Sequence, residues 1–226
     1  MDDIIWIFIY IISIITISAI VIALIVYVDY KLTHNAWQKF ADQEGLKLYH
    51  GNFLGLKDIK PSVTGSYRCL DFELCLFDIS GKRKSTHTSI VMKLPSENSC
   101  NLTICPSYPF QRFVTGLFDS PPVTKSLFYE ETVTSDMDFD SSFIVTSSSD
   151  LISFFTPELR KSLLAIKDLV NIKIDRETIT YETSGVIRNI SFLNYITEIM
   201  YYMAVNVCRI NPQKRSLSGE KELQFK

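Results

Sequence analysis

The sequence opens with an apolar run that is too long and too uniform for the surface of a soluble protein. Residues 4–28 contain no charge, and only three of these 25 positions carry a polar side chain. A helix of this length extends about 37 Å at 1.5 Å per residue, against a hydrocarbon core of about 30 Å. Trp6 and Tyr10 lie near one end and Tyr27 and Tyr30 near the other, where interfacial aromatic residues are enriched. The run therefore predicts a single membrane crossing.

Two other structures, a secretory signal peptide and a buried core helix, fit the run less well. A signal peptide has basic residues before a shorter apolar stretch and small residues at its cleavage site. Here Asp2 and Asp3 precede the run, and Asp29, Tyr30 and Lys31 follow it. A core helix does not need 25 consecutive uncharged residues. These features favour a membrane anchor.

The basic residues around the run predict its orientation. None precedes it, whereas Lys31, Lys39 and Lys47 follow closely. Positive charge near a membrane segment stays on the cytoplasmic side. We therefore expect a single-pass protein of the cell membrane, with its N-terminus outside and its C-terminal domain in the cytoplasm.

Composition excludes several classes for the rest of the chain. There are 23 Lys and Arg against 25 Asp and Glu, and a net charge of −2 argues against nucleic-acid binding by bulk positive charge. The 8 Gly, 8 Pro and 12% aromatic residues exclude collagen-like, low-complexity and disordered chains. The part of the chain after the run, roughly 200 residues, is long enough to bury a core of its own.

The chain divides into four predicted parts by hydropathy and charge. They are a transmembrane anchor over 1–29, a membrane-proximal helix over 30–45, a soluble domain over 46–210 and a polar, disordered tail over 211–226. Gly45 is a suitable stop for the second part, because glycine readily adopts the positive φ found just after a helix.

Hairpins and helices together predict an α+β fold for the soluble domain. Apolar residues recur at every second position over 67–94, which predicts a long antiparallel hairpin. A second hairpin is predicted over 171–183, whereas 46–62 is predicted to be mainly loop. Apolar residues at helical spacing predict helices after Thr156 and over 189–209.

The cysteines fit a reducing compartment. The chain has five of them, an odd number without a CxxC motif: Cys69, Cys75, Cys100, Cys105 and Cys208. A secreted domain more often shows an even set at framework spacings. Free thiols are expected, with Cys69 and Cys75 on the exposed side of one strand.

Common catalytic, metal and cofactor motifs are absent from the sequence. His34, His50 and His87 are the only histidines, and no two of them have metal-ligand spacing. Neither GxxxxGK[ST] nor GxGxxG occurs. We therefore predict no metal, no cofactor and no catalytic residue.

Three alternating carboxylates, Asp136, Asp138 and Asp140, are spaced like the start of a calcium loop. Such a loop needs glycine at its sixth position and a bidentate glutamate at its twelfth. Ser141 and Ser147 occupy those positions here. A polar turn that leads into a strand is the favoured interpretation.

Two segments are candidate contact sites. The basic run Lys82, Arg83 and Lys84 lies at the predicted tip of the first hairpin, and anionic headgroups attract such groups. The proline-rich stretch after residue 106 offers apolar candidates for contact with a protein partner, because loops often carry binding function. These candidates are Tyr108, Phe110, Phe113, Leu117 and Phe118. A solvated turn and a loop packed onto the core are the respective alternatives.

Short motifs follow the apolar run in a distinctive order. They are Trp37-x-x-Phe40-Ala41-x-x-x-Gly45-Leu46, Gly65-x-Tyr67, Phe139-Asp140-x-x-Phe143-Ile144-Val145 and Thr156-Pro157-Glu158-Leu159-Arg160. With this order the chain resembles uncharacterised single-pass membrane proteins of prokaryotes over most of its length. The resemblance implies the same succession of parts up to the final helix, and it implies no activity, cofactor or functional residue.

Three functions of different classes are consistent with these features. The leading hypothesis is a non-enzymatic, cytoplasm-facing protein-interaction module, because an anchor and a core are present without a catalytic constellation. The second is lipid or small-ligand binding at the membrane surface through the basic tip. The third is an enzyme whose site is assembled from His87 and the three aspartates.

The predicted orientation can be tested on intact cells with a membrane-impermeant thiol reagent. We expect Cys69 and Cys75 to stay unmodified until lysis, because a cytoplasmic domain is shielded by the membrane. A Cys69→Ser, Cys75→Ser double variant is the control for labelling at the other cysteines. Modification of either residue before lysis would place the domain outside.

Overall fold

One continuous helix, α1 (Asp2–Glu44), carries the chain out of the apolar run and into the folded domain. The computed structural model describes residues 2–50, 60–79, 85–95, 101–107, 130–131, 133–147 and 152–210. From Ile9 onward α1 is long and apolar enough to cross a membrane, with a mean hydropathy of 2.9 and none of that window buried. A core helix would be covered by the protein, so this end of α1 is compatible with membrane anchoring.

The second part of α1 is part of the hydrophobic core. Trp37, Phe40 and Ala41 are fully buried in it. The helix ends at Glu44, Gly45 follows with φ +68°, and Leu46 N–H donates to Ala41 O at 2.8 Å. The predicted continuation through 30–44 and the stop at Gly45 are confirmed.

The described strands form a nine-stranded sheet in which every neighbouring pair is antiparallel. The strands are β1 (Lys47–Tyr49), β2 (Ser62–Tyr67), β3 (Leu70–Ile79), β4 (Ser85–Lys93), β5 (Leu102–Pro106), β6 (Glu130–Glu131), β7 (Phe143–Ser147), β8 (Ile172–Ile174) and β9 (Thr178–Ser184). Their order in the sheet is β1-β2-β3-β4-β9-β8-β5-β7-β6. The β8–β9 hairpin therefore lies between the two earlier groups of strands.

Three further helices are described: α2 (Met137–Ser142), α3 (Pro157–Leu164) and α4 (Ile190–Ile210). Thr156 caps α3 by accepting the Leu159 N–H, and Pro157 opens the helix, as the sequence predicts. The apolar face of α4 belongs to the same core as the buried residues of β3 and β4. Antiparallel strands with helices on one core confirm the α+β class.

The region from 46 to 69 corrects the sequence prediction. β1 lies within the range 46–62 where a loop was expected, β2 begins at the end of that range, and Arg68 and Cys69 (φ +46° and +72°) form the turn from β2 to β3. Cys69 is therefore an exposed turn residue and does not share a strand with Cys75. Burial, and then the charges of Glu73 and Glu182, raise the pKa of the Cys75 thiol. Among the three cysteines whose side chains the structure describes, Cys69 is the one exposed to a labelling reagent.

The β2–β3 turn is attached to α4 by a small polar cluster. Glu198 accepts hydrogen bonds from the Tyr67 hydroxyl at 3.0 Å and from Arg68 Nη1 at 2.8 Å. The Arg68 guanidinium also lies 4.9 Å from the ring centroid of Tyr201, a cation–π distance. Burial, more than the neighbouring Glu198, raises the pKa of Tyr67 to about 12. The cluster links the β2–β3 turn to the last helix.

The packing of α1 predicts that the fold depends on one aromatic side chain beyond the apolar run. Phe40→Ala should lower the free energy of unfolding by about 3–5 kcal/mol, because it leaves a cavity in the core. Lys39→Ala, at an exposed neighbouring position of the same helix, should change it by less than about 0.5 kcal/mol. Urea unfolding of the full chain in detergent micelles measures both, and equal effects would contradict the packing.

Candidate functional site

The candidate site lies where α1 leaves the apolar run and meets the loop between β9 and α4. Arg188 donates from Nη2 to the carboxylate of Asp29 and from Nε to Thr33 Oγ1 at 3.0 Å. Thr33 is buried, and its hydroxyl donates to Asp29 O at 3.0 Å. We call Asp29, Thr33 and Arg188 the junction. It fixes the folded domain to the first turn of helix beyond the uncharged run.

The loop that carries Arg188 is held by hydrogen bonds on both sides. Gly185 (φ +83°) directly follows β9, and its N–H donates to Thr86 O at 2.9 Å. Thr88 Oγ1 donates to Gly185 O at 2.8 Å and accepts from Ile187 N–H at 3.1 Å. The Trp37 indole N–H donates to Ile187 O at 2.8 Å. These bonds leave little freedom for the backbone beside Arg188.

A groove of about 360 Å³ lies beside this loop. Its wall combines apolar and polar side chains, among them Leu169, Val186, Ile187, Phe192, Arg188 and Asn189. Asn189 is also the N-cap of α4, since its Oδ1 accepts the Phe192 N–H at 3.1 Å. Arg188 therefore belongs to both the groove and the junction, and Asn189 belongs to both the groove and the start of α4.

Two histidines meet on the other side of the same helix segment. The ring centroids of His34 and His50 lie 4.8 Å apart, and Tyr30 stacks on His34 at 5.9 Å. Burial, followed by the charges of His50 and Lys31, lowers the pKa of His34. The spacing of 16 positions between the histidines in the sequence gave no sign of this contact.

The predicted contact segments fall outside the described residues. This applies to Lys82, Arg83 and Lys84, which connect Ile79 of β3 to Ser85 of β4. It applies equally to the apolar candidates Tyr108, Phe110, Phe113, Leu117 and Phe118. Both remain predictions.

His87 and the three aspartates do not form one site. His87 lies on β4, whereas Asp138 and Asp140 belong to α2, which leads into β7. Four strand steps separate β4 from β7, which is about 19 Å at 4.8 Å per strand. General acid–base partners must come within hydrogen-bonding reach.

The acidic segment forms a short helix where the sequence predicted a turn. Asp136 caps α2 by accepting the Phe139 N–H at 3.2 Å, and its carboxylate lies 3.1 Å from Arg160 Nε. Asp140 accepts the backbone N–H and the hydroxyl of Thr134 at 3.0 and 2.8 Å. In the described part of the chain, no group of three acidic, histidine or cysteine side chains is arranged to hold a metal ion.

Sequence reasoning missed Arg188, because its partner Asp29 is 159 positions away. No local pattern marks such a pair. The one related signal is that Asp29 is the first charged residue after the uncharged run.

Comparisons with known proteins give a fold likeness at most. No protein-family model matches the sequence, and no curated protein matches it. Among solved structures, the chain is similar to the crystal structure of the mycobacterial trehalose monomycolate transport factor A, TtfA. The identity is 10%, the match covers 79% of this chain and 95% of that chain, and the TM-score is 0.45. A likeness this loose says nothing about function, and the resemblance to prokaryotic single-pass proteins stays a prediction.

The lowered pKa of His34 predicts that acid destabilises the fold. The unfolded chain, with a histidine pKa near 6.5, takes up the proton before the folded chain does. The contribution of neutral His34 to the stability of the fold is therefore fully present above a pH of about 6.5 and is lost as the pH falls below it. The free energy of unfolding should drop between about pH 7.5 and about pH 5.5, and His34→Asn should reduce the drop. The exposed Asn35→Ala is the control; an unchanged drop in His34→Asn would contradict the prediction.

Proposed function

We propose that this chain is a single-pass membrane protein whose folded domain is a non-catalytic docking module for a protein partner on the cytoplasmic face. The continuity of α1 carries the proposal. The same helix supplies an apolar segment compatible with a membrane and three fully buried core residues, Trp37, Phe40 and Ala41. A helix without a break cannot act as a flexible tether, so the domain would be held close to the bilayer.

The junction supports the same arrangement. Arg188 joins the domain to α1 one residue beyond the uncharged run and again at Thr33. The domain therefore has little freedom to swing about the anchor. A module held in this way presents a constant set of surfaces to neighbours in the membrane, which lowers the entropic cost of binding them.

Exposed apolar residues lie near Ser107, the last described residue before the segment predicted to contact a partner. Ser107 N–H donates to Ser142 O at 2.7 Å, so the segment starts beside the end of α2. Met137 of α2 is 88% exposed, and Val133 is 60% exposed. Exposed apolar residues that cluster at one edge are typical of contact surfaces. We call Val133 and Met137 the α2 edge, and we propose that it binds the same partner as residues 108–118.

The cytoplasmic orientation rests on the basic residues Lys31, Lys39 and Lys47, which follow the apolar run. The free thiols of Cys69, Cys75 and Cys105 in the described domain accord with a reducing compartment.

Site-specific photocrosslinking of the full chain in its native membrane tests the docking surface. A photoreactive amino acid at Met137 or Phe113 should give a covalent adduct with the same protein, because the α2 edge and residues 108–118 are proposed to bind one partner. The matched control is Glu73, an exposed position on β3, five strand steps from β7. No adduct should form there.

A second variant separates specific docking from chance contact. Met137→Glu should weaken the adduct formed from position 113, since a charge in an apolar contact is costly to desolvate. Adducts of equal yield from Met137, Phe113 and Glu73, or none from the first two, would overturn the proposed function.

A further inference from the structure

The groove beside Arg188 lies at a defined height relative to the proposed anchor. Asp29 directly follows the uncharged run, and Thr33 lies four residues further along α1. Four residues of helix rise about 6 Å. The headgroup layer is about 5–7 Å thick on each side of the hydrocarbon core. Arg188, which contacts both residues, therefore lies at headgroup height whenever the run spans the bilayer.

The lining of the groove is that of a site for an amphiphile. Leu169, 46% exposed, and the partly buried Val186 and Phe192 provide apolar surface beside the guanidinium of Arg188. A soluble polar ligand would gain little from the apolar wall. A purely apolar ligand would make no hydrogen bond to the polar rim, Arg188 and Asn189.

The charges at this height favour an anionic headgroup. Lys31 and Arg188 are positive and Asp29 is negative, which leaves one positive charge in excess among these three side chains. The N-terminus of α4 begins at Ile190, next to Asn189, and adds the positive end of its dipole. Arginine is suited to bind phosphate through two N–H groups at once.

We propose that the groove binds an anionic phospholipid of the same leaflet, with its phosphate on Arg188 and the upper part of an acyl chain along Leu169, Val186 and Phe192. The proposal rests on the membrane anchoring put forward above. It assigns a specific lipid site to the domain, distinct from the α2 edge where the protein partner is proposed to bind.

Photocrosslinking with lipids tests the site in the full chain. The protein is reconstituted into phosphatidylcholine vesicles that contain a small fraction of phosphatidylglycerol with a diazirine on its acyl chain. Mass spectrometry should locate adducts in peptides that contain residue 169 or residues 186–192. In matched vesicles whose diazirine is on phosphatidylcholine, these adducts should be about fivefold weaker, corresponding to about 1 kcal/mol for one basic residue at the membrane surface.

Two pairs of variants separate binding from folding. Leu169→Glu should weaken the groove adducts several-fold, whereas Val133→Glu, at an exposed apolar position on the α2 edge, should not. Arg188→Gln should abolish the preference for phosphatidylglycerol. Asp29→Asn breaks the same ion pair but leaves the Arg188 charge free, so the preference should persist or increase. If Arg188 had only a structural role, the two junction variants would behave alike.

The outcomes also distinguish this site from the proposed anchoring. Lipid adducts within residues 4–28 report the anchor, and their absence would overturn the proposed function together with the site. Adducts within the run but none at the groove would overturn the lipid site alone, as would groove adducts that do not distinguish the two lipids.

Discussion

The structure depends on a single helix that belongs to two environments. In its first part α1 has the composition of a membrane segment, and from Trp37 onward it is covered by the domain. The two parts cannot be altered independently, because a straight helix transmits position and rotation along its length. The buried face of Trp37, Phe40 and Ala41 therefore determines which side of the helix the domain occupies.

The junction adds a second attachment at the point where such a helix would otherwise pivot. The Arg188 guanidinium holds Asp29 and Thr33, while the Trp37 indole holds the carbonyl of the residue before Arg188. Each bond is modest by itself, since exposed ion pairs contribute about 0–1 kcal/mol. Together these bonds restrict the orientation of the domain, because they fix one of its loops against two turns of α1. The proposed lipid site and the proposed docking surface both require this fixed placement.

Local patterns predicted local structure, and contacts between distant parts of the chain escaped them. The alternation from Leu70 to Leu76 and the Thr156-Pro157 cap were sufficient to identify a strand and a helix start. β2 was missed because the predicted hairpin began only at Tyr67, and the apolar alternation before it is interrupted by Gly65. In the fold, a Cβ at this position would lie 2.9 Å from Leu46, so the close approach of two segments explains the glycine. Sequence spacing does not reveal such an approach.

The same limitation applies to the candidate site. Its parts, Arg188 with Asp29 and His34 with His50, come together only when the sheet and α1 have formed. The aspartates were visible as a motif, yet they serve as a helix cap and as a partner of Thr134. A motif of acidic residues shows only that carboxylate oxygens lie close together in the sequence. Whether they bind a metal ion or accept hydrogen bonds from backbone N–H groups depends on the residues that pack around them.

The position of the β8–β9 hairpin determines when one edge of β4 can be paired during synthesis. β4 ends at Lys93 and its partner β9 begins at Thr178, so the ribosome must add the intervening residues before that edge is paired. At 5–20 residues per second this takes on the order of ten seconds. During this time the apolar residues Ile90 and Met92 have no strand beside them on that edge. A strand edge that stays unpaired for this interval can pair with another chain, and such exposed edges are what chaperones protect.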